Sequence, residues 1–131
     1  MSNSKWKRER EFARITRYRK TGEVCIISAT SARNGGLNTN KRAVLEYDDE
    51  KKVLRIIPTL DNDKTTTVAI SARGGKAGDS RMRVISITSF LNFVSLDIER
   101  GYYLAKGTPD GVEVYLDNKL DEIPPLVTVF L

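Results

Sequence analysis

Residues 83–116 read RVISITSFLNFVSLDIERGYYLAKGTPDGVEVYL, and the change of pattern inside this stretch decides the fold class. Its first five residues are rich in β-branched side chains and fit a strand. Residues 89–95 are the clearest helix of the chain, with Thr88 or Ser89 as cap and Phe90, Leu91, Phe93 and Val94 as a buried face. Residues 102–105 and 112–116 return to strand. Between them Thr108-Pro109-Asp110-Gly111 is a type I turn sequence that closes a hairpin.

Working outward, the remaining chain reads as strands and turns. Residues 12–19 interleave Phe12, Ile15 and Tyr18 with arginines, Thr21-Gly22 is a turn, and 24–30 is β-branched, so the three make a hairpin. Asn34-Gly35-Gly36 marks a loop, followed by a helical turn near 40–45. Residues 44–47 and 53–57 flank a charged tip at 48–52, and Pro58 is expected to end that hairpin. Residues 65–72 form another strand, 74–79 a basic glycine loop, and 126–131 an apolar C-terminal strand. One helix among eight or nine strands predicts a mainly β (α+β) protein, a small β-barrel or a sheet of hairpins. Residues 1–9 lack apolar pattern and read as a flexible basic arm. Residues 10–131 read as a single β-rich domain, divisible into half-repeats at 23–60 and 64–118.

Composition narrows the chemistry. With 131 residues, 40% apolar and 30% charged, the chain is of globular rather than disordered composition. Its longest apolar run is four residues, 24–27, and the charged first twenty residues lack the apolar centre of a signal peptide. The expectation is a soluble, intracellular protein without membrane contact. A single cysteine, Cys25, excludes an internal disulfide, and the absence of histidine excludes Ser-His-Asp triads, Cys-His dyads and imidazole-ligated metals. Three acidic constellations remain. Pro109-Asp110 with Asp117-Asn118-Lys119 imitates a metal-nuclease signature, but the turn explains Asp110. Asp48-Asp49-Glu50 and Asp61-Asn62-Asp63 lack the glycine and terminal glutamate of a calcium loop. No catalysis and no cofactor are expected.

Charge placement points to binding instead. Residues 1–20 carry eight basic and two acidic side chains, a local charge of +6, while all the rest sums to −1. Such a basic segment on a near-neutral body is an electrostatic footprint for nucleic acid. Lys5, Trp6, Lys7, Arg8, Arg10, Arg14, Arg17 and Arg19 mix cations with aromatics, which suits phosphate forks and base stacking. An internal echo adds two loops: Ser31-Ala32-Arg33-Asn34-Gly35-Gly36 recurs forty residues later as Ser71-Ala72-Arg73-Gly74-Gly75. Each echo precedes further cations, Lys41 and Arg42 after the first, Lys76, Arg81 and Arg83 after the second. Arg33 and Arg73 would then form a symmetric pair of phosphate contacts.

Strand, short helix, the Leu96-x-Ile98-x-x-Gly101 turn and closing hairpin together resemble the AbrB-like swapped-hairpin DNA-binding proteins. The resemblance implies two copies paired in an interleaved barrel that binds DNA through arginines on strands and loops. Only Arg81 and Arg83 carry over by position. Residues 37–58 look like a shortened first copy, at an offset near fifty. Thr88 stands where that family usually has proline, and Tyr102 where it usually has aspartate. The sequence thus predicts a non-catalytic protein that binds nucleic acid, DNA or RNA, with a homo-oligomer as a further possibility. The alternative is a structural or assembly protein that docks through the basic arm and adds strand 126–131 to a neighbour's sheet.

Overall fold

The structure, a computed structural model, describes residues 11–73 and 81–121 in full, and 6–9 and 127–130 as paired strands. In chain order the elements are β1 (Trp6–Glu9), β2 (Phe12–Tyr18), β3 (Gly22–Ile27), α1 (Ala29–Asn34), β4 (Arg42–Asp48) and β5 (Val53–Thr59). There follow β6 (Val68–Ala69), β7 (Ser71–Arg73), β8 (Met82–Ser86), α2 (Thr88–Val94), β9 (Gly101–Thr108), β10 (Gly111–Leu120) and β11 (Val127–Phe130). The fold is mainly β, as the residue pattern requires.

Nine strands form one antiparallel sheet in the order β6-β4-β5-β10-β9-β2-β3-β8-β7. Its two edges, β6 and β7, are consecutive in the chain and separated only by Ile70, whose N–H donates to Lys41 O at 2.8 Å. Two residue steps span about 7 Å at most, so the edges meet and the sheet must curl. The hydrogen-bond ladder nevertheless stays open between β6 and β7, which corrects the expectation of a β-barrel to a rolled sheet. Its concave side holds the core: Ala13, Ile15, Cys25, Ile27, Leu54, Ile56, Ile85, Ala105 and Val114 are all essentially without exposure. Alternate residues of each strand therefore point outward.

The strand–helix–strand–strand order occurs twice, as β3-α1-β4-β5 and β8-α2-β9-β10. Equivalent residues lie 58 to 60 apart: Ala32 and Leu91 in the helices, Ala43 and Tyr103, Leu54 and Val112 on the core face. Helix hydrogen bonds match one for one. Ala32 N–H donates to Ser28 O and Leu91 N–H to Ile87 O, each at 2.9 Å. Leu37 and Leu96 close the two helices onto Ala32 O and Leu91 O at 2.8 and 2.9 Å. β3 pairs with its counterpart β8, and β5 with β10, as an internal two-fold axis requires. The real spacing is neither the forty of the Ser-Ala-Arg echo nor the fifty of the hairpin comparison.

Several local readings change. The chain leaves β3 after Ile27 and enters α1, where β-branched Thr30 favoured strand in the sequence. The helical turn expected near 40–45 is instead largely β4, and Pro58 lies inside β5, paired with Ala43. Trp6–Glu9, part of the expected arm, is a strand paired antiparallel with β11 in a separate two-stranded sheet. Neither helix has a side-chain cap: the N-cap of α1 is Ser28, whose hydroxyl is used elsewhere, and that of α2 is Ile87, not the expected Thr88 or Ser89. Ser28 Oγ accepts from Phe12 N–H at 3.2 Å, and Thr88 Oγ1 from Glu23 N–H at 2.8 Å. Each helix start is thus pinned to a neighbouring strand.

Candidate nucleic-acid interface

Strand β2 carries the best-placed cations. Ala13 and Ile15 fill the core with no exposure, so Arg14 projects from the convex face and Arg17, Arg19 and Lys20 are exposed toward the β2–β3 turn. Pairing of β2 with β9 sets Arg14 opposite Tyr102 and Phe12 opposite Leu104. The Arg14 guanidinium lies 5.4 Å from the centre of the Tyr102 ring, and that ring meets Phe12 edge-on at 6.0 Å. At the other end of the strand the Arg73 guanidinium lies 5.6 Å from the Tyr18 ring centre. Both are cation–π pairs that hold a charged fork against an aromatic face while its outer N–H groups remain available.

Arg17 pairs with Glu23 across the β2–β3 hairpin and lines a cleft of about 280 Å³ with Thr88, Asn92 and Asp97. Glu23 Oε1 accepts from Arg100 at 3.5 Å, whereas its Oε2 is buried without a hydrogen-bond partner among the described residues. The remaining sequence candidates scatter. Arg33 is exposed on the last turn of α1 and Lys41 is exposed before β4. Arg42 is half-buried and donates to Thr67 Oγ1 and Thr67 O at 2.5 and 3.0 Å, a structural clasp over the β4 edge. Arg83 is 7% exposed and donates to Arg81 O at 2.6 Å, which withdraws it from solvent, while Arg81 is half-buried. Arg33 belongs to α1 and Arg73 to β7, so they are not two-fold mates, and the expectation of an equivalent pair is corrected. Lys5, Arg10, Lys76 and the 74–79 loop lie outside the described residues, as do the side chains of Trp6, Lys7 and Arg8.

Tyr102 and Lys20 were not singled out by sequence. Tyr102 becomes visible only through the β2–β9 register, a contact 88 residues apart in the chain. The opposite flank of the sheet is unlike this one. There Glu46, Arg55, Glu113 and Lys106 face one another in turn across β4, β5, β10 and β9, an alternating ladder with Arg55 Nε 3.3 Å from Glu113 Oε2. Asp110 and Asp117 stand near opposite ends of β10, about 20 Å apart along an extended strand, too far to share a metal. Among the described residues no group of three or more Cys, Asp or Glu side chains is arranged to hold a metal ion. Compared with known protein families, with curated proteins and with solved structures, the chain finds no match.

Proposed function

We propose that this protein binds nucleic acid without catalysing a reaction, through the convex face of β2 and the adjoining end of β7. The observation that carries the reading is the pair of guanidinium groups, Arg14 on Tyr102 and Arg73 on Tyr18, with exposed Arg19 and Lys20 at the β2–β3 turn. Arg17, in step with Ala13 and Ile15, opens instead into the cleft beside α2. A guanidinium already resting on a ring loses little freedom when a phosphate arrives, so each phosphate contact is favoured over one made by a free side chain. The doubled, interleaved strand–helix–strand–strand order supports the AbrB-like reading, with both copies in one chain.

Fluorescence anisotropy with labelled duplex DNA, single-stranded DNA and RNA, each over a salt series, tests the proposal. Affinity should fall steeply with salt, and Arg14→Ala or Arg73→Ala should each reduce the slope of log K against log salt by roughly 0.7 to 0.9. Lys51→Ala, at the exposed β4–β5 tip, should leave the slope unchanged. Failure to bind any of the three polymers at low salt, or slopes indifferent to both arginines, removes the reading.

A further inference from the structure

The internal two-fold breaks down at one place, and a cleft opens there. In the first copy α1 lies directly on the β9–β10 hairpin. A Cβ added to Gly107 would fall 2.4 Å from Ser31 O and 2.6 Å from Asn34 Cβ, and one added to Gly35 would fall 2.5 Å from Val112 Cγ2. Those two glycines are what let helix and hairpin touch. Their counterparts in the second copy carry side chains. Val94 replaces Gly35, and Tyr47, which faces Leu54 as Gly107 faces Val112, replaces Gly107. α2 therefore cannot seat as α1 does. Leu37 is wholly buried, whereas its equivalent Leu96 is half-buried, and Phe93 of α2 is 86% exposed.

A second departure lies beside the first. The β4–β5 pairing is continuous, but the β9–β10 ladder jumps from Tyr115–Leu104 to Lys119–Tyr103, so Leu116, Asp117 and Asn118 bulge out of register. Bulges of this kind redirect side chains toward functional surfaces. The resulting cleft, about 360 Å³, is lined by Tyr47, Tyr103, Leu96, Ile98 and Leu116, with Asp97, Glu99, Asp117, Lys52 and Lys119 at its polar positions. Lys52 is held by Asp49 at 3.1 Å and Lys119 by Glu99. Asp97 and Asp117 make no ion pair among the described residues and leave the cleft negative. An anion would meet three carboxylates and two lysines that are already engaged. A cation would instead be drawn to exposed Asp97 and Asp117 and to the half-buried Tyr47 ring.

We propose that this cleft binds an aliphatic ammonium group, carried by a free polyamine or a lysine side chain, against the half-buried Tyr47 with Asp97 and Asp117 as counter-charges. The alkyl stem of such a ligand lies along Leu96, Ile98 and Leu116, which explains an apolar wall beneath a charged rim. The site does not involve Arg14 or Arg73, so it stands whether or not nucleic acid binds there; Leu96, Asp97 and Ile98 are shared with the neighbouring cleft of Arg17.

Titration calorimetry on the full chain with spermidine and with Nα-acetyl-lysine methylamide tests it. One saturable site is expected, weakened about tenfold by Asp117→Asn and by Tyr47→Ala, and retained in Tyr47→Phe. Asp61→Asn removes the same charge from an exposed loop and should leave the affinity within about twofold. Tighter binding of spermidine identifies a free polyamine as the source, and equal or tighter binding of the lysine derivative identifies a protein side chain. No saturation by either probe up to about 10 mM overturns the proposal, as does an Asp61→Asn effect equal to that of Asp117→Asn, which would mean diffuse charge attraction.

Discussion

Cys25 is the clearest case of a residue whose chemistry is set by its surroundings. It lies on the concave side of β3 between Ile15 and Ile85, fully buried, and loss of water pushes its thiol up to about 12. A thiolate there would lack compensation, so the group behaves as a small apolar side chain. The folded value exceeds the ordinary one of about 9, so above that pH the unfolded chain releases a proton that the folded chain keeps. Stability contributed by this group is intact below pH 9 and is lost as pH rises toward 12. A thiol reagent at pH 8 should leave the native protein unlabelled and modify one equivalent after denaturation. Rapid native labelling would place the sulfur outside the core. Arg14 and Arg83 make the complementary point about cations. Both are charged residues on strands, but the face each occupies assigns one to a tyrosine on the surface and the other to the interior.

At the scale of elements, the helix closures differ by one telling residue. Gly36 and Ser95 occupy equivalent left-handed positions, at φ 78° and 54°. Glycine adopts that conformation without a Cβ penalty, whereas serine does not. Ser95→Gly should therefore raise stability by about 0.5–1 kcal/mol, read from the denaturant midpoint. Gly107→Ala should do the opposite, costing about 1–3 kcal/mol, because the methyl collides with the α1 backbone rather than with a movable side chain. If both substitutions proved neutral, the close seating of α1 and the strain at Ser95 would each be overstated. Helices of six and seven residues are far too short to hold themselves in water. Their strand-anchored starts and closing hydrogen bonds are what keep them.

At the scale of the molecule, charge is divided between surfaces. Arg14 with Tyr102 occupies one part of the convex face, while the Glu46–Arg55–Glu113–Lys106 ladder balances itself on another and the cleft beside Tyr47 is negative. A polyanion approaching such a body is oriented before contact, attracted to one side and repelled from another. Removing residues 1–9 takes β1 from β11 but removes no rung from the nine-stranded sheet. The truncated chain should unfold cooperatively and bind polyanions more weakly but measurably, because Lys5, Lys7 and Arg8 are lost while five of the eight N-terminal cations remain beyond position 9. Loss of the cooperative transition in circular dichroism would show that the small sheet supports the large one.

The β class, the α2 helix, the three hairpins and the concentration of arginines in residues 8–19 were legible in the sequence because each depends on neighbours within a few positions. Alternation, turn chemistry and charge are local properties. α1 was not legible, since its Ala-Thr-Ser-Ala-Arg-Asn run has no strong helical face and is held by glycine contacts some seventy residues away. The repeat was sensed but misplaced. Its copies agree in hydrogen bonds and strand pairing while sharing few residues, so the echo of small residues at 31–36 and 71–75 outweighed the true offset. Which arginines face outward, which ring each meets, and where the two-fold fails to close over a cleft depend on register between distant strands. A one-residue slip would exchange every inward and outward side chain, and only the packed sheet fixes that choice.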